Sequence, residues 1–323
     1  MNKVTVAVLM GGISAEREVS LWTGEQVLRA IDRTKYEVAA YDPSALDGRE
    51  SLVIAGQTLG TLEDLISARG ASKPDVAFIA LHGPGGEDGT IQGLLEAIRI
   101  PYTGSGVLAS ALAMDKAMSK LVLGSVGVTL AEGRTLSRND RQIANTDSFP
   151  MPCIVKPSNQ GSSIGMVVVR RPSELQSAID LAFKYDDTIL IEEYIAGTEI
   201  TVPVLGNESL QVLPIVEIVP KDGFFDYHSK YTPGATEEIV PARLEPEVAE
   251  RAREIAKQCH VVLGCRGMSR TDMIVTGSGA IVTLETNTIP GMAPTSILPQ
   301  SAAAAGITFP DLIDHLICLA LEK

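Results

Sequence analysis

Arg270, Asp272, Glu285 and Asn287 lie within one stretch, Arg266 to Ser296, and their types and spacing describe an oxygen-rich anionic site. Two strand-like runs, Arg270–Val275 and Ala280–Glu285, flank the turn Thr276–Gly279. Alternating and β-branched apolar residues around Gly-Ser-Gly predict a β-hairpin. Residues two apart on a strand project to the same side. Arg270 thus points with Asp272, and Glu285 with Asn287, so a hairpin gathers an Asp, a Glu and an amide beside a fixed cation. Oxygen donors without thiolate or imidazole suit Mg²⁺, which combines carboxylates with phosphate oxygens. The plainer reading leaves these carboxylates on the solvent face of the hairpin. Arg-x-Asp opposite Glu-x-Asn, followed by Pro290-Gly291, favours the site.

Other residues suggest a polyphosphate ligand and a small charged substrate. The run Pro152–Pro157 reads as a strand ending in Lys156-Pro157, followed by the small-residue loop Ser158–Gly165. A lysine facing such a loop suits phosphates, with cation and backbone N–H groups acting together; a flexible turn is the alternative. No GxxxxGK[ST] occurs, and Gly104–Ala109 matches the dinucleotide pattern only formally, because Ile-Pro-Tyr-Thr before it is a poor strand. That segment reads as a turn into a helix at a domain junction. Asp115 then caps or begins a helix carrying Lys116 and Lys120. Glu192 and Glu193 close an apolar strand, Thr188–Ile191, with Ile195 and Glu199 following. They are either solvent-exposed or part of an adenine and ribose pocket. Ser14 reads as a helix N-cap, and Glu16 falls in the first turn. There it either complements the helix dipole or holds a ligand ammonium at a strand-to-helix turn. His82 ends a strand before a loop with glycines at 83, 85, 86 and 89; structural and ligand-binding roles both remain open. The polar segment 221–238, rich in aromatics, is either a disordered loop or a lid.

These groups need a scaffold. Val4–Met10, Glu37–Tyr41 and Asp75–Leu81 read as strands of a parallel sheet, alternating with helices. The first helix is expected to turn Val19, Trp22, Val27, Leu28 and Ile31 inward, with a further helix at Leu62–Ala68. Further helices are expected at Ser173–Lys184, Glu247–Leu263 and Pro310–Glu322, and a strand at Gln211–Val219. At 323 residues the chain is long enough for two or three domains. Its 45% hydrophobic and 21% charged residues are those of a globular protein. A net charge of −13 leaves no basic surplus for a nucleic-acid backbone. No apolar run approaches a membrane span, so no membrane partner is expected. The start reads as a strand rather than a signal peptide, and Cys153, Cys259, Cys265 and Cys318 form no framework, which points to the reducing cytoplasm.

Taken together, GGISAEREVSL, ALHGPGGEDGTIQG, DKAMSK, VKPSNQGSSIG, IEEYIAGTEITV, FFDYHSKY, GCRGMSRTDMIV and LETNTIPGMAPTS resemble the D-alanine–D-alanine ligases of the ATP-grasp superfamily, in the family's order and over nearly the whole chain. The resemblance implies an α/β and α+β protein: a doubly wound N-terminal domain (1–104), then a two-domain ATP-grasp fold (105–194 and 195–323) with a lid at 221–238. It implies a cytoplasmic enzyme, a homodimer by family expectation. That enzyme makes D-alanyl-D-alanine from two D-alanines and ATP through an acyl phosphate, for peptidoglycan and cell-wall synthesis. It also implies residue roles. Asp272, Glu285 and Asn287 hold two Mg²⁺ or Mn²⁺. Lys116, Lys156, Ser162, Ser163, Glu192, Glu193, Ile195, Glu199 and Asn287 surround ATP. Glu16 takes the first ammonium, with His82 nearby, and Arg270 and the Gly291 N–H stabilise the oxyanion. Lys230, Ser296 and Ile297 receive the second amino acid, and Ser162 and Tyr231 bond to Glu16. Tyr231, uncharged, favours dipeptide over D-alanyl-D-lactate. Gln160 stands where some relatives carry an acid. The readings set against this one are another carboxylate–amine or D-lactate ligase, a non-catalytic nucleotide binder, and a secreted two-lobed binding protein.

Overall fold

The computed structural model describes residues 3–44, 52–140, 149–220 and 236–322. The first unit is a parallel sheet in the order β5-β2-β1-β6: β1 Val4–Leu9, β2 Tyr36–Asp42, β5 Gly60–Thr61 and β6 Val76–Ile79. A small hairpin, β3 Val53–Ile54 with β4 Gln57–Thr58, precedes β5. Val6, Ala7, Val8 and Leu9 are wholly buried, as a continuous apolar run between two layers requires. Helices α1 (Arg17–Ala30), α2 (Leu62–Ser67) and α3 (Thr90–Ala97) alternate with these strands.

After α4 (Val107–Met114) and α5 (Lys116–Ser125) comes an antiparallel sheet in the order β7-β10-β8-β9. Its strands are β7 Gly133–Ser137, β8 Cys153–Pro157, β9 Val167–Val169 and β10 Thr188–Glu193, covered by α6 (Pro172–Ala182). A third sheet runs β14-β13-β11-β15-β16, with β12 (Gln211–Val212) paired to β11. Here β11 is Thr198–Gly206, β13 Val216–Pro220, β14 Thr236–Ile239, β15 Gly267–Val275 and β16 Ile281–Asn287, with α7 (Pro246–Val262) against it. The chain continues through α8 (Ile297–Ala304) and α9 (Phe309–Leu321).

Four expectations are corrected. Gln211–Val219 is not one strand: Pro214, which has no N–H, separates β12 from β13, and its carbonyl accepts from the Ser301 hydroxyl at 2.6 Å. Residues 236–238, placed in the polar segment, belong to β14. Ser14 is not a helix cap; Glu16 occupies the N-cap position and makes no side-chain cap bond. Trp22 does not face the core: it is 45% exposed, while Val27, Leu28 and Ile31 are buried.

The closing helix joins, with α8, a core begun at the other end of the chain. Leu312, Ile313, Leu316 and Ile317 of α9 are buried in the same core as β1 and β6. Asp314 accepts from the Tyr36 hydroxyl at 2.7 Å and pairs with Lys35 at 3.1 Å. Among the described residues no single helix is long and apolar enough to cross a membrane, and α8 and α9 are bent by 104°.

His260, in the last turn of α7, is 1% exposed and shares a 2.7 Å bond between Nδ1 and the Ser269 hydroxyl. Burial pushes its pKa down to about 4 from 6.5. The buried ring stays neutral while the unfolded chain's ring takes up a proton, so the penalty begins as pH falls through 6.5 and is complete by about 4. Stability contributed here is expected to drop by about 2 kcal/mol between pH 7 and pH 5. Urea unfolding at both pH values, in the wild type and in His260→Asn, checks this; an equal pH slope in the two proteins refutes it.

Candidate active site

The β15–β16 hairpin forms the floor of the site. Its turn is closed by Gly279 N–H to Thr276 C=O at 2.9 Å and Thr276 N–H to Ala280 C=O at 2.9 Å. In register, Asp272 faces Glu285 and Arg270 faces Asn287, with an irregularity between Asp272 and Met273. Such bulges re-aim side chains beside functional sites. Arg270 grips Asp272 with both tines of its fork, Nε to Oδ1 at 2.9 Å and Nη2 to Oδ2 at 2.8 Å. Thr201, opposite on β11, donates to the same Oδ1 at 2.5 Å. Burial alone would lower the Arg270 pKa; Asp272, then Glu285 and Glu87, outweigh it and hold the guanidinium charged. Asn287 is steadied by the Ile289 N–H, which donates to its Oδ1 at 2.8 Å.

Lys116 connects this floor to the central sheet. Asp115 caps α5, accepting from the N–H groups of Ala117 and Met118. The cap fixes Lys116 at the first helical position. Its Nζ lies 3.1 Å from Glu285 Oε2 and donates to the Gln160 carbonyl at 2.8 Å.

Two cavities adjoin across this connection. One, of about 670 Å³, is lined by Glu16, His82, Arg270, Asn287, Gly291, Ser296 and Ile297. The other, of about 400 Å³, is lined by Lys156, Ser163, Glu192, Glu193, Ile195, Glu199 and Asp272. Lys116, Ser162 and Glu285 line both. Lys230 and Tyr231, with 221–235 of the expected lid, lie outside the described residues.

Glu16 sits where the first and central sheets meet. Asp42 holds the preceding turn, accepting from Gly12 N–H at 3.0 Å and from Arg17 Nη2 at 2.5 Å. The Ser162 hydroxyl donates to Glu16 Oε1 from 146 residues away. A Cβ on Gly83 or Gly161 would meet Glu16 Oε2 at 2.7 or 2.9 Å, so both positions need glycine for the carboxylate to be seated. Ser14 serves the same corner: its hydroxyl donates to the His82 carbonyl at 2.7 Å and accepts from Glu16 N–H at 3.1 Å. The His82 ring is set between Thr23 Oγ1, 3.1 Å from Nε2, and Glu87 Oε1, 3.4 Å from Nδ1.

In the second cavity Glu192 is 4% exposed and pairs with two lysines: Lys156 at 2.7 Å, and Lys120. Burial raises a carboxyl pKa, yet Lys156 and Lys120 together pull that of Glu192 below the usual range. Burial would likewise lower Lys156, and Glu192 outweighs it. Ser162 and Ser163 adopt φ of +51° and +59°. Consecutive left-handed residues are strained for side chains other than glycine, by about 1 kcal/mol or more each, and such strain gathers at functional sites. Glu193 Oε1 accepts from the Glu132 N–H at 2.9 Å.

Sequence reasoning missed four participants. Lys120 follows Lys116 by one helical turn, a spacing that could have marked it. Glu87 orients His82, and Trp22 lines the larger cavity. Thr201 carried no local signal, because it meets Asp272 only through strand pairing. Among the described residues no three His, Cys, Asp or Glu side chains cluster with metal-holding geometry.

Comparison with known proteins gives a consistent result. Family models for the D-ala D-ala ligase N-terminus and C-terminus match residues 5–105 and 123–318. The chain is 50% identical to the D-alanine–D-alanine ligase of Syntrophobacter fumaroxidans over 326 residues, covering 99% of each chain. It is 45% identical to that of Desulforudis audaxviator over 321 residues, 98% of this chain and 99% of the relative. Among solved structures it resembles the VanG D-Ala:D-Ser ligase of Enterococcus faecalis, with a TM-score of 0.85 and 33% identity over 99% of this chain and 100% of the other. It also resembles the Bacillus anthracis D-alanine–D-alanine ligase complexed with ATP, with a TM-score of 0.82 and 34% identity over 98% and 97% of the two chains.

Proposed function

This chain belongs to the D-alanine–D-alanine ligase family, and we infer that its two adjoining cavities carry out that family's reaction. It is an ATP-dependent ligase of ATP-grasp fold that joins two D-alanines into the dipeptide used in peptidoglycan precursors. The observation carrying the site assignment is the shared edge: Lys116, Ser162 and Glu285 line both cavities, so a phosphate from one meets a carboxylate from the other.

ATP occupies the smaller cavity. Lys116 and Lys156 neutralise its phosphates, and the Ser162–Ser163 loop presents backbone N–H groups. Glu192, Glu193, Ile195 and Glu199 line the nucleoside end. In the larger cavity Glu16, with His82 beside it, holds the first D-alanine by its ammonium. Its carboxylate attacks the γ-phosphorus, ADP leaves, and an acyl phosphate remains. The second D-alanine, with its carboxylate at Ser296 and Ile297, attacks the acyl carbon through its deprotonated amine; the acyl C–O bond breaks, phosphate leaves, and the proton the amine loses passes to the departing phosphate or to solvent. Arg270 and the Gly291 N–H face the oxyanion that forms.

Asp272 and Glu285 face each other with Asn287 beside them, an all-oxygen donor set that fits Mg²⁺ or Mn²⁺. Two carboxylates and an amide leave coordination positions for water and phosphate oxygens. Such ions, when bound, would neutralise charge on the transferring phosphoryl group. The enzyme works as a homodimer in the cytoplasm, by family likeness.

Phosphate release with ATP, Mg²⁺ and a panel of D-alanine, D-serine and D-lactate, with products weighed by mass, tests the assignment. D-Alanine alone is expected to support release and yield the dipeptide. Release only with another acceptor would move the chain to a different ligase activity, and none at all would refute the function.

A further inference from the structure

Glu238 and Gln300 form a bond that the reaction above does not use. Glu238 lies on β14, the edge strand of the third sheet, is partly buried, and lines the larger cavity together with Ser296 and Ile297. Gln300 is in the first turn of α8. Its Nε2 donates to Glu238 Oε2 and to the Thr295 carbonyl, the latter at 2.7 Å. One side-chain amide therefore joins the edge strand to the turn that carries Ser296.

The backbone of that turn is tied by Ser296 N–H to the Ala293 carbonyl at 2.8 Å and by Gln300 N–H to the Ser296 carbonyl at 3.1 Å; among the described residues its side chains add little. Ser296 occupies the N-cap position of α8, yet its side chain makes no cap bond to the helix. Its hydroxyl instead accepts from the Ala293 N–H at 3.3 Å, a long contact. The body of α8 is anchored elsewhere: Leu298 and Ala302 are fully buried in the first core, and Ser301 bonds to the Pro214 carbonyl. Packing of Leu298 and the buried Pro299 thus fixes α8 from its second residue onward, while Thr295, Ser296 and Ile297 before them are exposed or half-buried and depend on polar contacts. Burial raises the Glu238 carboxyl pKa, and Gln300, then Arg270, oppose the shift. The amide bond meets a carboxylate sheltered from water, where such a bond is stronger.

We propose that Glu238 and Gln300 are a positioning pair that sets the 295–297 turn over the cavity and thereby governs binding of the second amino acid. This rests on the assignment of Ser296 and Ile297 to that amino acid. Neither residue need touch the reacting atoms. The effect falls on the acceptor, because the nucleotide and the first amino acid are held by Glu16, Lys116 and Lys156 on other elements.

The test compares the wild type with Glu238→Ala, Glu238→Gln and Gln300→Ala. Glu238→Gln keeps an acceptor oxygen for the Gln300 amide and leaves that amide's bond to the Thr295 carbonyl in place, whereas Gln300→Ala removes both bonds and leaves the Glu238 carboxylate in the cavity. Glu238→Ala and Gln300→Ala are each expected to raise KM for the second D-alanine about tenfold, with KM for the first, KM for ATP and kcat within about twofold. Glu238→Gln should keep the acceptor KM within about threefold of wild type. Hydrogen exchange at residues 295–300 should speed up in Glu238→Ala and Gln300→Ala and stay near the wild type in Glu238→Gln. An acceptor KM unmoved in Glu238→Ala or in Gln300→Ala overturns the proposal, as does a Glu238→Gln protein as impaired as Glu238→Ala, which would show the carboxylate acting directly from position 238. A wild type that makes no dipeptide would refute the ligase assignment instead; unchanged amide exchange in Glu238→Ala would then still refute the positioning pair.

Discussion

Asp272→Asn and Glu285→Gln are each expected to lower phosphate release by about a thousandfold or more, through loss of charge at the phosphoryl-transfer site. The two replacements reach this end differently, and this separates chemistry from folding. Asp272 is also the bidentate partner of the partly buried Arg270. Its amide leaves that guanidinium without a full counter-charge, so Asp272→Asn should lose some stability as well as activity. Glu285 pairs with Lys116 from a more open position, its side chain 29% exposed. Glu285→Gln leaves the Arg270–Asp272 pair intact, so it should fold normally and still fail to turn over. Near-normal phosphate release by either variant at ordinary Mg²⁺ concentration would remove these residues from the metal site.

Glu192→Gln should have the largest effect on stability. The carboxylate is 4% exposed and balances both Lys156 and Lys120. Removing one partner of a buried pair leaves an uncompensated charge, at about 3–5 kcal/mol. Here two ammonium groups would be left facing each other. The pH dependence has a definite sign. A carboxyl pKa depressed by folding adds stability that is present above the ordinary carboxylate range and is lost as pH falls through the folded value. The variant should therefore be less stable at pH 7, with the difference shrinking in acid. Equilibrium denaturation at both conditions measures this. A difference below about 1 kcal/mol at pH 7 would mean that solvent or a shifted side chain already screens the lysines.

What could be read from the sequence follows sequence distance. The hairpin was legible because its residues are close along the chain and strand alternation decides which share a side. The parallel first sheet was legible for the same reason, from buried strands alternating with helices. Glu192 meeting Lys120 across 72 residues, or Ser162 meeting Glu16 across 146, leaves no periodic trace. Those pairings were reachable only through family resemblance, or not at all. Ser14 shows how a local rule is displaced by a shift in the helix start: α1 begins at Arg17, so the serine hydroxyl accepts from Glu16 N–H in the turn before the helix while donating to the His82 carbonyl. Trp22 fits the helical period of the buried face, yet that position opens onto a cavity. Pro214 inside an apolar run was a visible break that hydrophobicity outweighed.

The placement of α9 bears on how the protein is made. A chain leaving the ribosome supplies β1, β2 and β6 early, yet Leu312, Ile313, Leu316 and Ile317, which complete that core, follow more than 200 residues after β6 ends at Ile79. At about 5–20 residues per second, synthesis of that interval lasts on the order of ten to fifty seconds. During this time the first sheet carries apolar surface with no permanent cover, an invitation to nascent-chain chaperones and proteases. Stalled chains ending before residue 309 should be cleaved within the first unit far faster than chains extending past residue 321. Equal protection in the two would show that the first sheet closes without its last helix.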